Sequence, residues 1–322
     1  MRKALTPLCF LCLLFSLPGC GEEYGDVHFR QEMRDFVIGL SEYARDRNPG
    51  FIVIPQNGQE LITPNGEADA APVQAYVAAI SGMGREDLFF GYHKDNEQTP
   101  AAERDYMLDL CRVFRENALT VLVTDYCSGH WKIDSSYVWN KREGFISFAA
   151  DQRDLNRIPA YPERPFGENE RDIRKLSEAE NFLYLINSGD FSSKAGFISA
   201  VAATNYDVVI MDLFHNKEAF TKDELSQMKL KANGGSRLLI CYMSIGEAED
   251  YRYYWNPSWK RGDPDWLARE NPDWRGNFKV EYWDPEWQQL IYGNSDSYLY
   301  RILEAGFDGV YLDIIDAFEY FE

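Results

Sequence analysis

The residues in this chain best suited to chemistry are acids at the ends of short apolar runs: Glu86, Asp125, Asp212, Glu247, Asp284 and Asp313. Carboxyl groups brought together in pairs can divide general acid and base work, one giving up a proton while the other carries charge. The clearest instance is GVYLD at 309–313, where Gly309, Val310, Tyr311 and Leu312 read as a buried parallel strand that delivers Asp313 at its C-terminal end. In a barrel of parallel strands, catalytic groups gather at that end. Metal chemistry has no such basis. His28, His93, His130 and His215 form no ligand pairs, and beyond residue 20 no Cys-x-x-Cys is present. Cys111, Cys127 and Cys241 are too widely spaced for a disulfide framework.

Eight runs qualify as the strands that would position these acids: 51–54, 80–83, 119–123, 182–186, 208–211, 238–243, 278–282 and 310–312. Most are continuously apolar, as strands covered on both faces are. Between them lie helical patterns. Residues 31–47 carry a stripe of Met33, Phe36, Val37, Leu40 and Tyr43, and 101–117 and 298–305 look similar. Another helix opens at Asp223-Glu224 and stops by Gly234-Gly235. Strand and helix alternating about eight times predict an α/β fold, a single (β/α)8 TIM barrel. A doubly wound sheet is disfavoured, because no Gly-x-Gly-x-x-Gly turn follows a strand and no nucleotide cofactor is expected. Residues 159–175, rich in proline and charge, read as the best linker.

The N-terminal residues suggest a destination. Arg2 and Lys3 precede an apolar run at 5–17 that closes with Leu17-Pro18-Gly19-Cys20. Residues 1–20 thus read as a lipoprotein signal peptide, with Cys20 lipidated and 21–322 a soluble body tethered to a membrane. The expected location is the cell envelope, at the outer membrane or the extracellular surface. With 33 basic against 52 acidic residues and a net charge of −19, nucleic acid is excluded as a partner.

Several segments resemble extracellular hydrolases related to endo-α-1,4-polygalactosaminidase, glycoside hydrolase family 114 in the broad sense. They are YMSIGEAE at 242–249 with YRYYW at 251–255, NFKVEYWDPEW at 277–287, and GFDGVYLDIIDAF at 306–318. IPQNGQEL at 54–61 and ISGMGREDLF at 80–89 match as well, but in the wrong order. In the family these two follow the GVYLD strand; here they precede it. The resemblance therefore implies a circular permutation of the barrel, with the stretch near 159–180 bridging the family's ordinary termini. A closed barrel tolerates this, since every strand keeps its neighbours.

The resemblance further implies a polysaccharide substrate, no cofactor and a catalytic pair, Asp313 and Glu86, separated by a single strand. Asp313 is expected as the nucleophile-like carboxylate, and Glu86 as the general acid/base with a raised pKa. Asp212, Glu247, Asn57, Asp125, Trp283 and Tyr242 are expected to bind substrate. Plainer roles compete: Glu247 and Glu249 pairing with Arg252, Asn57 forming an Asn-Gly turn, Asp316 capping a helix. Trp255, Trp259, Trp266 and Trp274 are candidates to stack on sugar rings. A non-catalytic glycan-binding lipoprotein is the alternative function.

Overall fold

Apolar runs without polar alternation make strands that need cover on both faces, and helices with one apolar stripe supply it. The computed structural model describes residues 24, 25 and 27–322; Cys20 and the expected leader lie outside them. Eight strands run parallel: β1 (Ile52–Pro55), β2 (Gly82–Glu86), β3 (Thr120–Tyr126), β4 (Ile146–Ala150), β5 (Phe182–Tyr184), β6 (Val208–Met211), β7 (Leu238–Ser244) and β8 (Gly309–Asp313). Among the helices are α1 (Phe29–Arg47), α2 (Gln74–Ala79), α3 (Ala101–Glu116), α4 (His130–Glu143), α5 (Lys194–Ala202), α6 (Lys222–Met228), α7 (Pro285–Ile291) and α8 (Tyr298–Ala305). None of the described helices is long and apolar enough to cross a membrane.

The strands form two parallel sheets, β1-β8-β7-β6-β5 and β2-β3-β4. The sheets are stitched together between β1 and β2. There the Asn57 amide donates to the Gly84 carbonyl (2.8 Å) and the Ser81 amide to the Val53 carbonyl (2.8 Å). At the other junction no ladder joins β4 to β5; Phe148 and Phe182 face each other across it with ring centroids 5.9 Å apart. This mixed α/β arrangement, with its strand order, is compatible with the expected TIM-type fold.

Two strand assignments need correction. The run at 278–282 is not one of the eight. Asn277–Val280 is the middle strand of a small antiparallel sheet, between Glu247–Glu249 and Leu267–Glu270, in the excursion that follows β7. Phe278, Val280 and Tyr282 alternate with Lys279 and Glu281, which is the period of a one-sided antiparallel strand. The eighth parallel strand is β4, whose Ser147, Ala149 and Ala150 are too small to register as an apolar run. It pairs with β3 from Leu122↔Ile146 to Tyr126↔Ala150.

The helix predictions fare better. Helix α6 is fixed by a capping box: the Glu224 amide donates to Thr221 Oγ1 and the Thr221 amide to the Glu224 carboxylate. The expected linker, 159–175, has no helix or strand but is tied down. Asn169 contacts a fully buried ion pair, Lys231 Nζ to Asp207 Oδ1 at 2.9 Å, donating Nδ2 to Asp207 Oδ2 (2.8 Å) and accepting from Lys231 at its carbonyl (2.8 Å). Removing one member of such a pair strands the other charge away from water. Lys231→Met is therefore expected to cost about 3–5 kcal/mol of unfolding free energy, to be measured by urea denaturation beside the parent chain.

Candidate active site

In parallel strands every C-terminal end points the same way, so residues at those ends share one mouth. Strand β1 lies between β8 and β2, and Asp313 and Glu86, which end the outer two, both line a cavity of ≈ 510 Å³ there. The two carboxyl groups expected to pair are thus brought together, one strand apart.

Their surroundings differ sharply. Asp313 accepts from the Tyr242 hydroxyl at Oδ2 (2.5 Å) and from the Ile314 amide at Oδ1 (2.9 Å). Part of its surface opens on the cavity, but protein crowds it on the other sides, and burial pushes its pKa up to about 8, with the charge of Glu86 adding to the rise. Tyr242 and the Ile314 amide oppose that rise without cancelling it. Burial thus favours the protonated form of Asp313. Glu86 is ringed by donors: the Tyr126 hydroxyl on Oε1, and Gln56 Nε2 (2.7 Å) and Asn57 Nδ2 (3.1 Å) on Oε2. Three donors and no acceptor complement a carboxylate. Beneath the acids, Tyr184 and Tyr311 fill the interior with ring centroids 5.2 Å apart, and a Cβ on Gly84 would strike the Tyr311 hydroxyl. The Tyr311 hydroxyl has no partner.

The other expected residues divide. Asn57 takes the turn reading, with a left-handed φ of 60° before Gly58, and its side chain donates to Glu86. Tyr242 touches Asp313. Glu247 lines the cavity, buried, with Oε1 bound by Asn271 Nδ2 (2.8 Å) and Lys279 Nζ (3.0 Å) while Oε2 has no partner. Asp212 also lines it, in a buried ion triad. Arg252 reaches Asp212 Oδ2 at 2.7 Å and Glu249 Oε2 at 2.5 Å, so Glu249 takes the salt-bridge reading. Burial raises the pKa of Asp212, with Arg252 opposing. Asp316, considered as a helix cap, also lines the cavity; burial raises it to about 6 against the pull of Arg85 and Lys279.

Three acids or aromatics sit elsewhere. Asp125 is fully buried and points into the fold, accepting from Ser136 Oγ (2.6 Å), Asn140 Nδ2 (3.2 Å) and the Phe89 amide (2.8 Å). It ties β3 to α4 and does not reach the cavity. Trp283 packs among Tyr24, Phe29 and Phe321. Asp284 caps α7, accepting from the Glu286 amide (2.7 Å). Of the candidate stacking tryptophans, Trp255, Trp259 and Trp266 form a chain of edge contacts that ends on buried Trp287. Trp274 alone among them stands open, 58 % exposed, on the cavity wall.

Gln56, Tyr126 and Arg153 were not expected at the site. The first two lie at strand ends and had only position to reveal them; Arg153 follows the overlooked β4. A second cavity of ≈ 670 Å³ shares Asp154, Ile186, Asn187, Asp212, Tyr251 and Arg252 with the first, making one trough. No cluster able to hold a metal ion occurs among the described residues.

The raised pKa of Asp313 has a consequence for stability. The folded value, about 8, lies above the ~4 of an unfolded carboxyl. The native state keeps a proton that the unfolded chain releases, so this group's contribution is full below pH ~4 and is lost as pH rises toward 8. Asp313→Asn is expected to erase that loss. Its melting temperature should pull ahead of the parent's across this window by roughly 2–4 °C per kcal/mol relieved, as thermal melts at stepped pH will read.

Comparison with known sequences adds an independent finding. The profile of Glycoside-hydrolase family GH114 matches residues 174–322, which include Asp212, Tyr242, Glu247 and Asp313 but not Glu86. An uncharacterized protein of Methanocaldococcus jannaschii is 38% identical over 156 residues, covering 48% of this chain and 41% of its own. One of Deinococcus radiodurans is 43% identical over 122 residues, 38% of this chain and 37% of its own. A third, of Thermotoga maritima, is 34% identical over 142 residues, 44% and 40%. The chain spans about two fifths of the length of these relatives. Through residues 174–322, this protein is related to glycoside hydrolase family GH114.

Proposed function

We propose that this protein is a glycoside hydrolase that cleaves an extracellular polysaccharide with Asp313 and Glu86. One observation carries the reading: two carboxyl groups share a cavity, one raised to about 8 by burial and the other ringed by donors. Glycoside hydrolysis needs that asymmetry. The protonated group, Asp313, gives its proton to the leaving glycosidic oxygen as the C–O bond breaks. Glu86, held by its three donors, attacks the anomeric carbon or takes a proton from the water that does. The second cavity adjoining the first supports a polymeric substrate, and Trp274 supplies a face for a sugar ring.

Seven acids line the catalytic cavity, Glu86, Asp154, Asp212, Glu247, Glu249, Asp313 and Asp316, against Arg153, Arg252 and Arg275. That imbalance favours a cationic glycan, such as one containing galactosamine with free amino groups. We further take the two sheets as one closed (β/α)8 barrel in permuted order, anchored through lipidated Cys20. Permutation is supported by the parallel pairing of β1 with β8 and by a two-pronged ion pair between Arg30 and Glu322 (2.9 and 3.0 Å).

The deciding experiment is release of reducing ends from acetylated and deacetylated galactosamine and galactose polymers. Wild type should cleave a deacetylated polymer, with activity falling above about pH 8 as Asp313 loses its proton. Asp313→Asn and Glu86→Gln should each lower turnover by ~10²–10⁴-fold. Binding without cleavage, unchanged in both variants, would mark a glycan-binding lipoprotein instead. Permutation is tested separately. A gene that joins residue 322 to residue 27 and opens within 159–175 should give a folded protein of similar circular dichroism and melting temperature.

A further inference from the structure

Arg153 lies in the loop after β4 and is held more tightly than any other cation on the cavity wall except Arg252. Its guanidinium donates Nη2 to Asp87 Oδ1 (2.9 Å), Nη1 to Asp87 Oδ2 (3.2 Å), Nε to Asp95 Oδ1 (2.9 Å) and Nη2 to the Gly91 carbonyl (3.1 Å). A planar fork held at so many points cannot swing. Its Cζ lies 3.8 Å from the centroid of the Tyr126 ring, and Tyr126 donates its hydroxyl to Glu86 Oε1. The clamp is itself anchored. Asp87, next to Glu86, adopts a φ of 59°, its amide bonded to the Thr124 carbonyl (2.9 Å) and its own carbonyl to Thr99 Oγ1 (2.7 Å). A Cβ on Gly91 would collide with the Asp87 carboxylate, so the loop can close over the clamp only at a glycine.

Glu86 is faced from β1 and its end by Gln56 and Asn57, from β3 by Tyr126, from β5 by Tyr184, and from β8 and the turn after it by Tyr311, Asp313 and Asp316. Arg85, its neighbour in sequence, is turned toward Gln59 Oε1 (2.7 Å) and the Glu86 carbonyl (2.8 Å). Only Arg153 lies on the ring of a donor to that carboxylate. A cation over an aromatic face is held there by the ring quadrupole and draws electron density from the ring, which strengthens the phenolic O–H as a donor.

We propose that Arg153 is a positioning residue for Glu86: clamped by Asp87 and Asp95, it fixes the Tyr126 ring so that its hydroxyl stays on Glu86 Oε1. The proposal rests on the reading of Glu86 as a catalytic carboxylate. A residue that merely ties loops together would weaken the fold without coupling to Tyr126, and a double-mutant cycle separates the two roles.

The variants are Arg153→Met, Arg153→Lys, Tyr126→Phe and the Arg153→Met/Tyr126→Phe double, assayed on the polymer that wild type cleaves best. Arg153→Met should lower kcat by ~10–100-fold with KM within about twofold, Arg153→Lys should recover part of that, and the double should be no worse than Tyr126→Phe alone. Losses that multiply in the double variant would overturn the proposal. A crystal structure of Arg153→Met gives a readout that needs no substrate: the Tyr126 hydroxyl should have left Glu86, and finding it still there would equally overturn the assignment. Should Arg153→Met fail to fold, the crystal structure of Arg153→Gln, which keeps a polar group but loses the charge and the fork, is read the same way. If wild type cleaves nothing in the panel, the catalytic reading of Glu86 falls, while the crystal structure still decides whether Arg153 places Tyr126.

Discussion

A carboxyl group too poorly solvated to hold its charge is the constraint on which the site depends. Asp313 stands at the end of a strand whose neighbours fill the interior with aromatic rings, and neither Tyr242 nor the Ile314 amide restores what burial removes. Gly84 belongs to the same device, since any side chain there would displace Tyr311 and loosen the layer beneath the acids. Glu86, one strand away, receives three side-chain donors and adds to the rise at Asp313. The protonated form of Asp313 is favoured by these surroundings.

Around that pair the protein spends its other charges on architecture. Arg252 is enclosed by Asp212 and Glu249, Arg153 by Asp87 and Asp95, and Lys279 by Glu247. Of these only Arg252 is buried between two carboxylates, and removing one partner from that set is costly. The excursion after β7 builds the remaining wall. Its aromatic chain from Trp255 to Trp287 fixes it to the core, and only Trp274 is left facing the trough.

Much of this was legible in the sequence. Continuous apolar runs marked seven of the eight parallel strands, because a strand covered on both faces must be apolar throughout. The run at 278–282 misled through composition alone; its alternation of Phe278, Lys279, Val280, Glu281 and Tyr282 already spelled a one-sided strand. Strand β4 escaped because Ser147, Ala149 and Ala150 pack where little room is left, and small residues give no hydrophobic signal. With it went Arg153.

The residue types that can do chemistry, their place at strand ends, and the pairing of Asp313 with Glu86 through a familiar motif were set by the sequence alone. It also set the acidic balance and the lack of any metal-ligand pattern. Tertiary structure decided what each acid became. Asp125 and Asp313 both end apolar runs, yet one points inward onto Ser136 and Asn140 while the other opens on a cavity. That burial raises Asp313, and that Trp283 packs in an aromatic cluster while Trp274 meets solvent, likewise depended on the fold. The reason is that solvation and hydrogen-bond partners come from residues far away in the chain, and only folding brings them within reach.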